Sequence, residues 1–385
     1  MSSSPPAPPA DMTLQRSSRD PAIVRERLEE WLASVLPPGA DPEVTLHEGI
    51  QSNGMSSETV LLAITATEDG ARVTTEYVAR VAPAAEDLPV FPEYRLQDQY
   101  DAMRLAGELA GIPVPPVGLI EPTGEVLGTP FFLMGRLEGA VPPDVMPYTF
   151  GDNWLFDAAP EQQAALERNS IEVLARLHGI PGAAERFGFL DPAVSGHAGA
   201  TPLARNLAKT RAWYDYAVAA AEGSPRSPLI ERGLAWLEAN LPADAAGDPV
   251  LVWGDSRIGN VMYQDFAPVA VLDWEMATLG PREMDLAWMV FAHAVFQEIA
   301  TMLGLPGMPD FLTSETVVAT YQELSGVEVG DLAWFQVLAA VNWGIVFLRT
   351  SARQIHFGEI ERPDDPEAVL HHRPLFERLL DEVGA

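Results

Sequence analysis

The sequence predicts an α+β fold with two lobes, a small β-rich N-terminal lobe and a large, mainly helical C-terminal lobe. Segments rich in β-branched residues concentrate before residue 138, whereas apolar residues recur at helical spacing through most of the remainder. The chain has 385 residues, of which 47% are hydrophobic, and this is enough to bury two sizeable cores. We expect a disordered Ser/Pro-rich tail over 1–19, an N-lobe over 20–137 and a C-lobe over 138–385.

The N-lobe is predicted to begin with a helix and to contain five strands. Asp20 is a preferred N-cap residue and Pro21 a preferred first helical residue, so a helix is expected from here to Leu36. A hairpin signal at 68–70 separates the second and third strands, and a second helix is expected from about Pro92 to Leu109. The predicted strands are Val44–Ile50, Thr59–Ala66, Thr74–Val81, Val117–Ile120 and Pro130–Leu137.

The C-lobe is predicted to be helical apart from one hairpin. The hairpin strands Val261–Tyr263 and Val269–Leu272 are joined by a turn over 265–268. Folding this hairpin carries Asp273 back beside Asn260. The helical patterns cover 160–180, 202–222, 226–241, 281–304, 314–325, 330–356 and 366–383.

Composition excludes several classes of function. The chain has no cysteine, which rules out disulfides, thiolate metal sites and cysteine nucleophiles. A net charge of −31 disfavours nucleic acid and anionic membranes as partners, and it serves either solubility or attraction of a cationic substrate. Since no signal peptide or membrane span is indicated, a cytoplasmic location is expected. The oligomeric state is not readable from the sequence.

Asp255, Asn260 and Asp273 carry the chemistry that the sequence indicates. Asp255 and Asn260 precede the first hairpin strand, and Asp273 follows the second. An amide oxygen and a carboxylate at one hairpin mouth can hold Mg²⁺, which prefers oxygen ligands, while the other carboxylate can act as a base. Together these are the groups that a phosphoryl-transfer site needs. The Asp255 to Asn260 spacing alone would equally fit a turn with its cap, and the hairpin ending in Asp273 favours the functional interpretation.

These residues stand in segments that resemble a known enzyme family. Trp-Gly-Asp at 253–255 with Asn260, Val-Leu-Asp-Trp-Glu at 271–275, and Leu-Gly-Pro at 279–281 with Asp285 are similar to motifs of the aminoglycoside phosphotransferase and choline kinase family. The likeness extends from about residue 40 to residue 355. It is strongest to an actinobacterial branch of aminoglycoside phosphotransferase-like proteins related to the kinase domains attached to some acyl-CoA dehydrogenases.

The resemblance implies a protein-kinase-like two-lobe fold and a kinase that uses ATP and Mg²⁺ to phosphorylate a hydroxyl of a small molecule. In the family pattern Asp255 is the catalytic base, and Asn260 and Asp273 are Mg²⁺ ligands. Asp285 orders the catalytic loop, and His178 is a structural residue.

The resemblance also implies a nucleotide site in the N-lobe. A Gly/Ser/Asn loop between the first two strands stands where a phosphate-covering loop belongs, although such a loop taken alone is more often a simple turn. Strand Pro130–Leu137 resembles the hinge that connects the lobes, with backbone groups of Gly135 and Leu137 on adenine and Met134 behind it. The residues expected to contact the nucleotide are Ser52, Asn53, Gly54, Met55, Ser56, Ser57, Arg80, Gln99, Met134, Gly135 and Leu137.

Three positions depart from the family pattern. Kinases carry a phosphate-binding lysine on the third strand, but this chain has Arg80 there, and its only lysine, Lys209, lies far along the sequence. Arginine suits phosphate well, so Arg80 is interpreted as the phosphate clamp. Gln99 stands where its glutamate partner is expected, so the usual ion pair would become a hydrogen bond. Trp253 replaces the usual histidine of the catalytic loop and is expected to fill its space without removing the base.

The sequence leaves the acceptor open. Arg257, Glu275, Arg349 and Arg353 are candidate substrate residues, each with a surface or packing role as the alternative. The family name suggests aminoglycosides, whereas the dehydrogenase-linked domains suggest hydroxy acids or hydroxyacyl-CoA thioesters, which need a basic acceptor pocket.

Two other hypotheses remain. The atypical residues suggest a catalytically weak or inactive nucleotide-binding protein of the pseudokinase type. The third hypothesis is a helical interaction protein in which the motif occurs by chance.

Overall fold

A five-stranded antiparallel sheet forms the first lobe of the computed structural model, which describes residues 19–47, 57–219, 226–242 and 248–385. The strand order is β1-β2-β3-β5-β4. The strands span Glu43–Leu46 (β1), Glu58–Glu68 (β2), Ala71–Val81 (β3), Val117–Glu121 (β4) and Phe131–Gly135 (β5). The sheet therefore contains the five strands predicted for this lobe, and β2 and β3 are longer than predicted. Strand β1 ends at Leu46, and residues 48–50 of the predicted first strand lie outside the described residues.

Helix α1 (Pro21–Val35) covers one face of this sheet. The Asp20 side chain accepts a hydrogen bond from the Ala22 amide at 2.8 Å, as its N-cap position predicts. Leu28 and Leu32 are buried against the sheet in the smaller of two hydrophobic cores. Arg19, assigned to the tail, instead forms an ion pair with Glu58 and a hydrogen bond to Ala82 O. The remainder of the predicted tail, 1–18, lies outside the described residues.

Helix α2 (Leu96–Ala110) begins later than predicted from Pro92. The segment before it is irregular, with bends at residues 90–92, and its carbonyl groups bond to side chains of the C-lobe. Trp213 Nε1 donates to Val90 O at 2.9 Å, and Arg349 Nε donates to Pro89 O at 2.8 Å. The buried face of α2 packs in the larger core, together with the helices of the C-lobe.

The C-lobe is a helical assembly around that larger core. Its helices are α3 (Pro160–His178), α4 (Ala183–Arg186), α5 (Pro202–Ala219), α6 (Pro228–Ala239), α7 (Glu283–Met302), α8 (Ser314–Ser325), α9 (Ala333–His356) and α10 (Arg373–Glu382). The short helix α4 was not predicted, because four residues are too few to show a helical pattern. The other helices agree in position with the predicted patterns, except that the last begins later. In the described ranges, no helix combines the length and apolar character needed to cross a bilayer.

Two small sheets position the site residues. Strands β7 (Val261–Gln264) and β8 (Ala267–Val271) form the predicted hairpin, but its turn is tighter than expected, with Asp265 and Phe266 at φ values of 49° and 63°. Strands β6 (Val250–Val252) and β9 (Thr278–Gly280) pair as a second small sheet that the sequence analysis did not predict, because each has only three residues.

Candidate active site

Asp255 lies in the loop between β6 and β7, and its carboxylate is held by two donors. Trp288 Nε1 donates to Asp255 Oδ1 at 2.7 Å, and Arg257 Nε donates to the same oxygen at 3.1 Å. The side chain is 13% exposed. A carboxylate fixed in this way, with limited solvent contact, can accept a proton from a hydroxyl placed beside it.

Asp285, at the start of α7, orders the Asp255 loop. Its carboxylate accepts the amide N–H groups of Trp253 at 2.7 Å and Gly254 at 2.8 Å. His178 Nε2 lies 3.0 Å from the same carboxylate, which is fully buried. This matches the loop-ordering role that the resemblance implies for Asp285, and it gives His178 a structural contact.

Trp253 ties the Asp255 loop to the end of the hairpin. Its indole Nε1 donates to Leu272 O and Asp273 O, both at 3.0 Å, and the side chain is buried. The residue therefore packs and hydrogen-bonds at this position, and Asp255 keeps its place in the loop.

The hairpin brings Asn260 and Asp273 together, as its pattern predicts. Leu272 N donates to Asn260 O at 2.8 Å, and Asn260 Nδ2 donates to Asp255 O at 3.1 Å, which commits the amide nitrogen and leaves Oδ1 as the ligand atom. Asp273 adopts a φ of 57°, an uncommon conformation for a residue other than glycine. Burial raises the pKa of Asp273, against the opposing effect of Arg80.

The oxygen atoms of Asn260 and Asp273 suit a Mg²⁺ ion that a nucleotide also helps to bind. Across the described ranges there is no cluster of three or more His, Cys, Asp or Glu side chains that could bind a metal. Mg²⁺ in kinase sites is usually held by one or two protein oxygens together with substrate phosphates and water. The Asn260 amide oxygen and the Asp273 carboxylate are such a pair.

Arg80 connects the N-lobe to this site. Its guanidinium donates to Asp273 Oδ1 at 2.7 Å and lies 3.4 Å from Glu275 Oε2. Along β3, Ala79 is buried in the sheet core, whereas Arg80 faces the first of the two clefts described below. The hydrogen bond expected from Gln99 to Arg80 is absent: within the described part of the chain, the hydrogen bonds of Arg80 go to Asp273, Glu275 and Thr59.

The first of two clefts lies between the lobes and has a volume of about 390 Å³. Its lining includes the predicted nucleotide residues Arg80, Gln99, Met134, Gly135 and Leu137, and also Asn260 and Asp273. The Gly135 amide donates to Pro116 O at 2.8 Å, so only the carbonyl of Gly135 is suited to contact adenine. Ser52, Asn53, Gly54, Met55 and Ser56 lie outside the described residues. Ser57 is buried, with its hydroxyl 3.5 Å from Glu275 Oε2.

The second cleft lies on the other side of Trp274 and has a volume of about 280 Å³. Gln99 and Trp274 line both clefts, whereas Gly254 and Trp288, which adjoin or contact Asp255, line the second one. Asp255 itself lines neither cleft, but its neighbour Gly254 lines the second and its hydrogen-bond partner Arg257 lines the first. It therefore lies between residues of the two clefts. Helices α5, α7 and α9 supply much of the remaining wall.

The four candidate substrate residues occupy different places. Arg257 lies in the first cleft between Asp255 and Asp144, where these carboxylates outweigh the effect of burial and raise its pKa. Glu275 lines the second cleft. Arg349 is buried beside Pro89 and Tyr216, and neither it nor Arg353 lines either of these two clefts, so the contacts of Arg349 indicate a packing role.

Three site residues were missed by sequence reasoning. Trp288 follows Asp285 by three positions on α7, so helical spacing could have placed both on one face toward the loop. Asp144 lies in an irregular segment that carries no sequence signal. Lys209 lines the second cleft, a place that its position in the sequence does not indicate.

The two lobes, the hairpin site and the two clefts define a small-molecule phosphotransferase of the protein-kinase-like fold. Residues 52–305 match the model of the phosphotransferase enzyme family, APH, and the chain belongs to this family. Its members phosphorylate hydroxyl groups of small molecules.

Proteins with related sequences include acyl-CoA dehydrogenases. A probable acyl-CoA dehydrogenase of Arabidopsis thaliana, IBR3, is 28% identical over 61% of this chain and 28% of that protein. Acyl-CoA dehydrogenase family member 11 of Gallus gallus is 29% identical over 92% of this chain and 43% of that protein. The chain thus spans less than half the length of these relatives.

Solved structures share the fold. A Ralstonia eutropha protein described provisionally as an aminoglycoside phosphotransferase superposes with a TM-score of 0.62 at 18% identity, covering 92% of this chain and 97% of that one. A thermostable mutant of aminoglycoside phosphotransferase APH(4)-Ia gives a TM-score of 0.50 at 14% identity, covering 93% of this chain and 98% of that one.

Proposed function

We propose that the protein uses ATP and Mg²⁺ to phosphorylate a hydroxyl group of a small molecule. The observation that carries this proposal is that Asp255 is hydrogen-bonded to Arg257 of the first cleft and to Trp288 of the second, in the same loop as Asn260 and close to Asp273. A structure of APH(4)-Ia that shares the fold was solved with AMP-PNP and hygromycin B, which supports a nucleotide and a hydroxyl-bearing acceptor as the two ligands.

In this proposal ATP occupies the first cleft, with adenine against Met134 and the backbone of Leu137. Arg80 exchanges its contact with Asp273 for the phosphates, to which its forked guanidinium is well suited. Mg²⁺, when bound by Asn260 and Asp273, supplies positive charge that offsets the phosphate charge.

The acceptor hydroxyl approaches from the second cleft and is oriented by Asp255. Its oxygen forms a bond to the γ-phosphorus while the bond from that phosphorus to the β,γ-bridging oxygen breaks, and ADP leaves. The hydroxyl proton passes to the Asp255 carboxylate, which Trp288 and Arg257 hold in place.

Two chemical classes of acceptor are proposed. The fold relatives that act on aminoglycosides suggest a polycation, and the dehydrogenase relatives suggest a hydroxy acid or hydroxyacyl thioester. The cytoplasmic location and the independence from nucleic acid and membranes also stay predictions.

One observation favours a second candidate, a nucleotide-binding protein with little or no transfer activity. Arg80 occupies Asp273 Oδ1, one of the proposed metal-ligand oxygens, and Gln99 gives Arg80 no alternative partner. If this ion pair persisted in the presence of nucleotide, Mg²⁺ binding would be weakened.

Transfer of label from γ-labelled ATP to a panel of aminoglycosides, hydroxy acids and hydroxyacyl thioesters tests the proposal. We expect a labelled product that requires Mg²⁺, disappears with EDTA, and falls by about a hundredfold or more in Asp273→Asn. Nucleotide-induced thermal stabilisation with no labelled product would favour the second candidate, and the absence of both would contradict each of them.

A further inference from the structure

Lys209, the only lysine of the chain, lines the second cleft from helix α5. Its side chain is exposed to solvent there. It forms no hydrogen bond and no ion pair with any residue in the described ranges. The ammonium group is therefore available to a ligand in the cleft.

Helix α5 holds Lys209 at a fixed place in the wall. Asn206, one turn earlier, donates to Leu279 O at 2.8 Å, and Thr210 donates to Asn342 Oδ1 at 3.0 Å. Trp213, one turn later, donates to Val90 O at 2.9 Å. All three also line the cleft, so Lys209 lies on the face of α5 that is fixed against β9, α9 and the segment before α2.

The carboxylates of this cleft are mostly engaged by other residues. Asp191 pairs with Arg205, Asp98 with Arg95 and Glu275 with Arg80. Glu93 is exposed to solvent, and its carboxylate accepts a hydrogen bond from Ser195 at 3.2 Å. These pairings offset most of the negative charge in the wall and leave Lys209 without a counter-ion in direct contact.

We propose that Lys209 binds an anionic group, a carboxylate or a phosphate, on the acceptor whose hydroxyl faces Asp255. The inference rests on the proposed function, because it places the acceptor in the second cleft, and it makes Lys209 a specificity-determining residue. A hydrogen bond from an ammonium group to such an anion is stronger than one between neutral groups, because the two partners also attract each other as opposite charges. A polycationic acceptor would instead meet the ammonium group as a like charge.

Equilibrium binding measured by calorimetry tests the inference without relying on turnover. The probes are ω-hydroxy-carboxylates of increasing length with their primary amides, and glycerol phosphate with glycerol. We expect the anionic member of at least one pair to bind about ten- to a hundredfold more tightly than its neutral partner. The pair that shows the preference identifies the anion.

Lys209→Met should abolish that preference, and Lys209→Arg should retain most of it. Arg211→Met is the matched control, because Arg211 is on the same helix but pairs with Glu231 and Glu238 outside the cleft, and it should leave the preference unchanged. A wild-type protein with no preference for anions, or a preference that survives Lys209→Met, would overturn the inference. A preference that depends on Lys209 in a protein that transfers no phosphate from ATP would refute the proposed function and leave the anion site standing.

Discussion

At the scale of single residues, the carboxylate of Asp255 is positioned by an indole N–H group. Trp288 Nε1 and Arg257 Nε both donate to Oδ1, which fixes the orientation of the carboxylate. Oδ2 also accepts a hydrogen bond from Arg257 Nε, at 3.3 Å, but Trp288 bonds to Oδ1, so we expect the acceptor hydroxyl to meet Oδ2. Trp288 is therefore a positioning residue for the proposed base.

Trp288→Phe keeps an aromatic ring in place and removes the donor. We expect kcat to fall about tenfold while the KM for ATP is unchanged, because one hydrogen bond to a charged group is lost outside the nucleotide cleft. Steady-state kinetics on purified protein measure both quantities.

Trp343→Phe is the control for altered packing alone. The Trp343 ring lies against that of Trp288, with centroids 5.6 Å apart, and its buried indole N–H has no hydrogen-bond partner among the described residues. Equal loss of kcat in both variants would contradict the positioning role of Trp288.

Gly254 is required by its backbone conformation and by its surroundings. Its φ is 91°, and a Cβ atom placed there would lie 2.3 Å from Met276 O. Gly128 has a similar φ of 84°, but a Cβ atom there meets nothing within 4 Å. Alanine at Gly128 would therefore introduce backbone strain alone, whereas alanine at Gly254 would introduce both backbone strain and steric overlap.

Gly128→Ala should cost about 1–2 kcal/mol of the free energy of unfolding through backbone strain alone. Gly254→Ala should cost at least about 2 kcal/mol more, because the backbone of Met276 has to move as well. Urea denaturation of both variants gives the comparison. Equal costs would show that the loop accommodates a methyl group without rearrangement.

At the scale of elements, α10 is joined to α9 through a buried histidine. His372 immediately precedes α10, and its Nε2 lies 3.0 Å from Ala340 O in α9. Burial lowers the pKa of His372 to about 4, from an ordinary value of 6.5. The neutral ring is thus the form that the folded protein favours.

The sign of the pH dependence follows from this depressed pKa. In the unfolded chain His372 binds a proton near pH 6.5, and in the folded protein it does so only near pH 4. The contribution of the neutral His372 ring to the free energy of unfolding is complete above about pH 6.5 and is lost as the pH falls to about 4. It amounts to about 3 kcal/mol in total.

Denaturation of wild type and His372→Gln between these pH values measures the effect. We expect the stability difference between them to shrink as the pH falls, because glutamine does not titrate. Every other group titrates in both proteins and cancels in the difference. A difference that stays constant with pH would contradict the assignment.

The elements were predictable where the signal is local. The Asp20-Pro21 start of α1 and the hairpin that unites Asn260 with Asp273 depend on residues near one another in the sequence, and both are observed. The start of α2 was predicted too early, because long-range bonds from Trp213 and Arg349 hold the preceding segment in an irregular, bent conformation.

At the scale of the whole molecule, the larger core joins α2 of the N-lobe to the helices of the C-lobe. The smaller core contains α1 and much of the five-stranded sheet. The segment before α2 is bonded to α5 and α9, which also line the second cleft. An acceptor in that cleft would therefore contact the same helices that hold the start of α2.

The candidate site could be predicted in part for the same reason. Asp255, Asn260 and Asp273 were identified from one short segment, and the structure brings them together. The partner of Arg80 and the place of Lys209 depend on contacts between distant segments, which a single sequence does not specify. The expected Gln99 contact failed because Asp273 and Glu275 come closer to Arg80 once the lobes pack.

The central claim is that Asp255, which is hydrogen-bonded to residues of both clefts, takes the acceptor proton during phosphoryl transfer. Single-turnover transfer from labelled ATP, compared between wild type and Asp255→Asn, tests it most directly. The claim predicts that Asp255→Asn binds Mg-ATP with unchanged affinity and transfers phosphate at least about a hundredfold more slowly. Transfer by Asp255→Asn at the wild-type rate would contradict it.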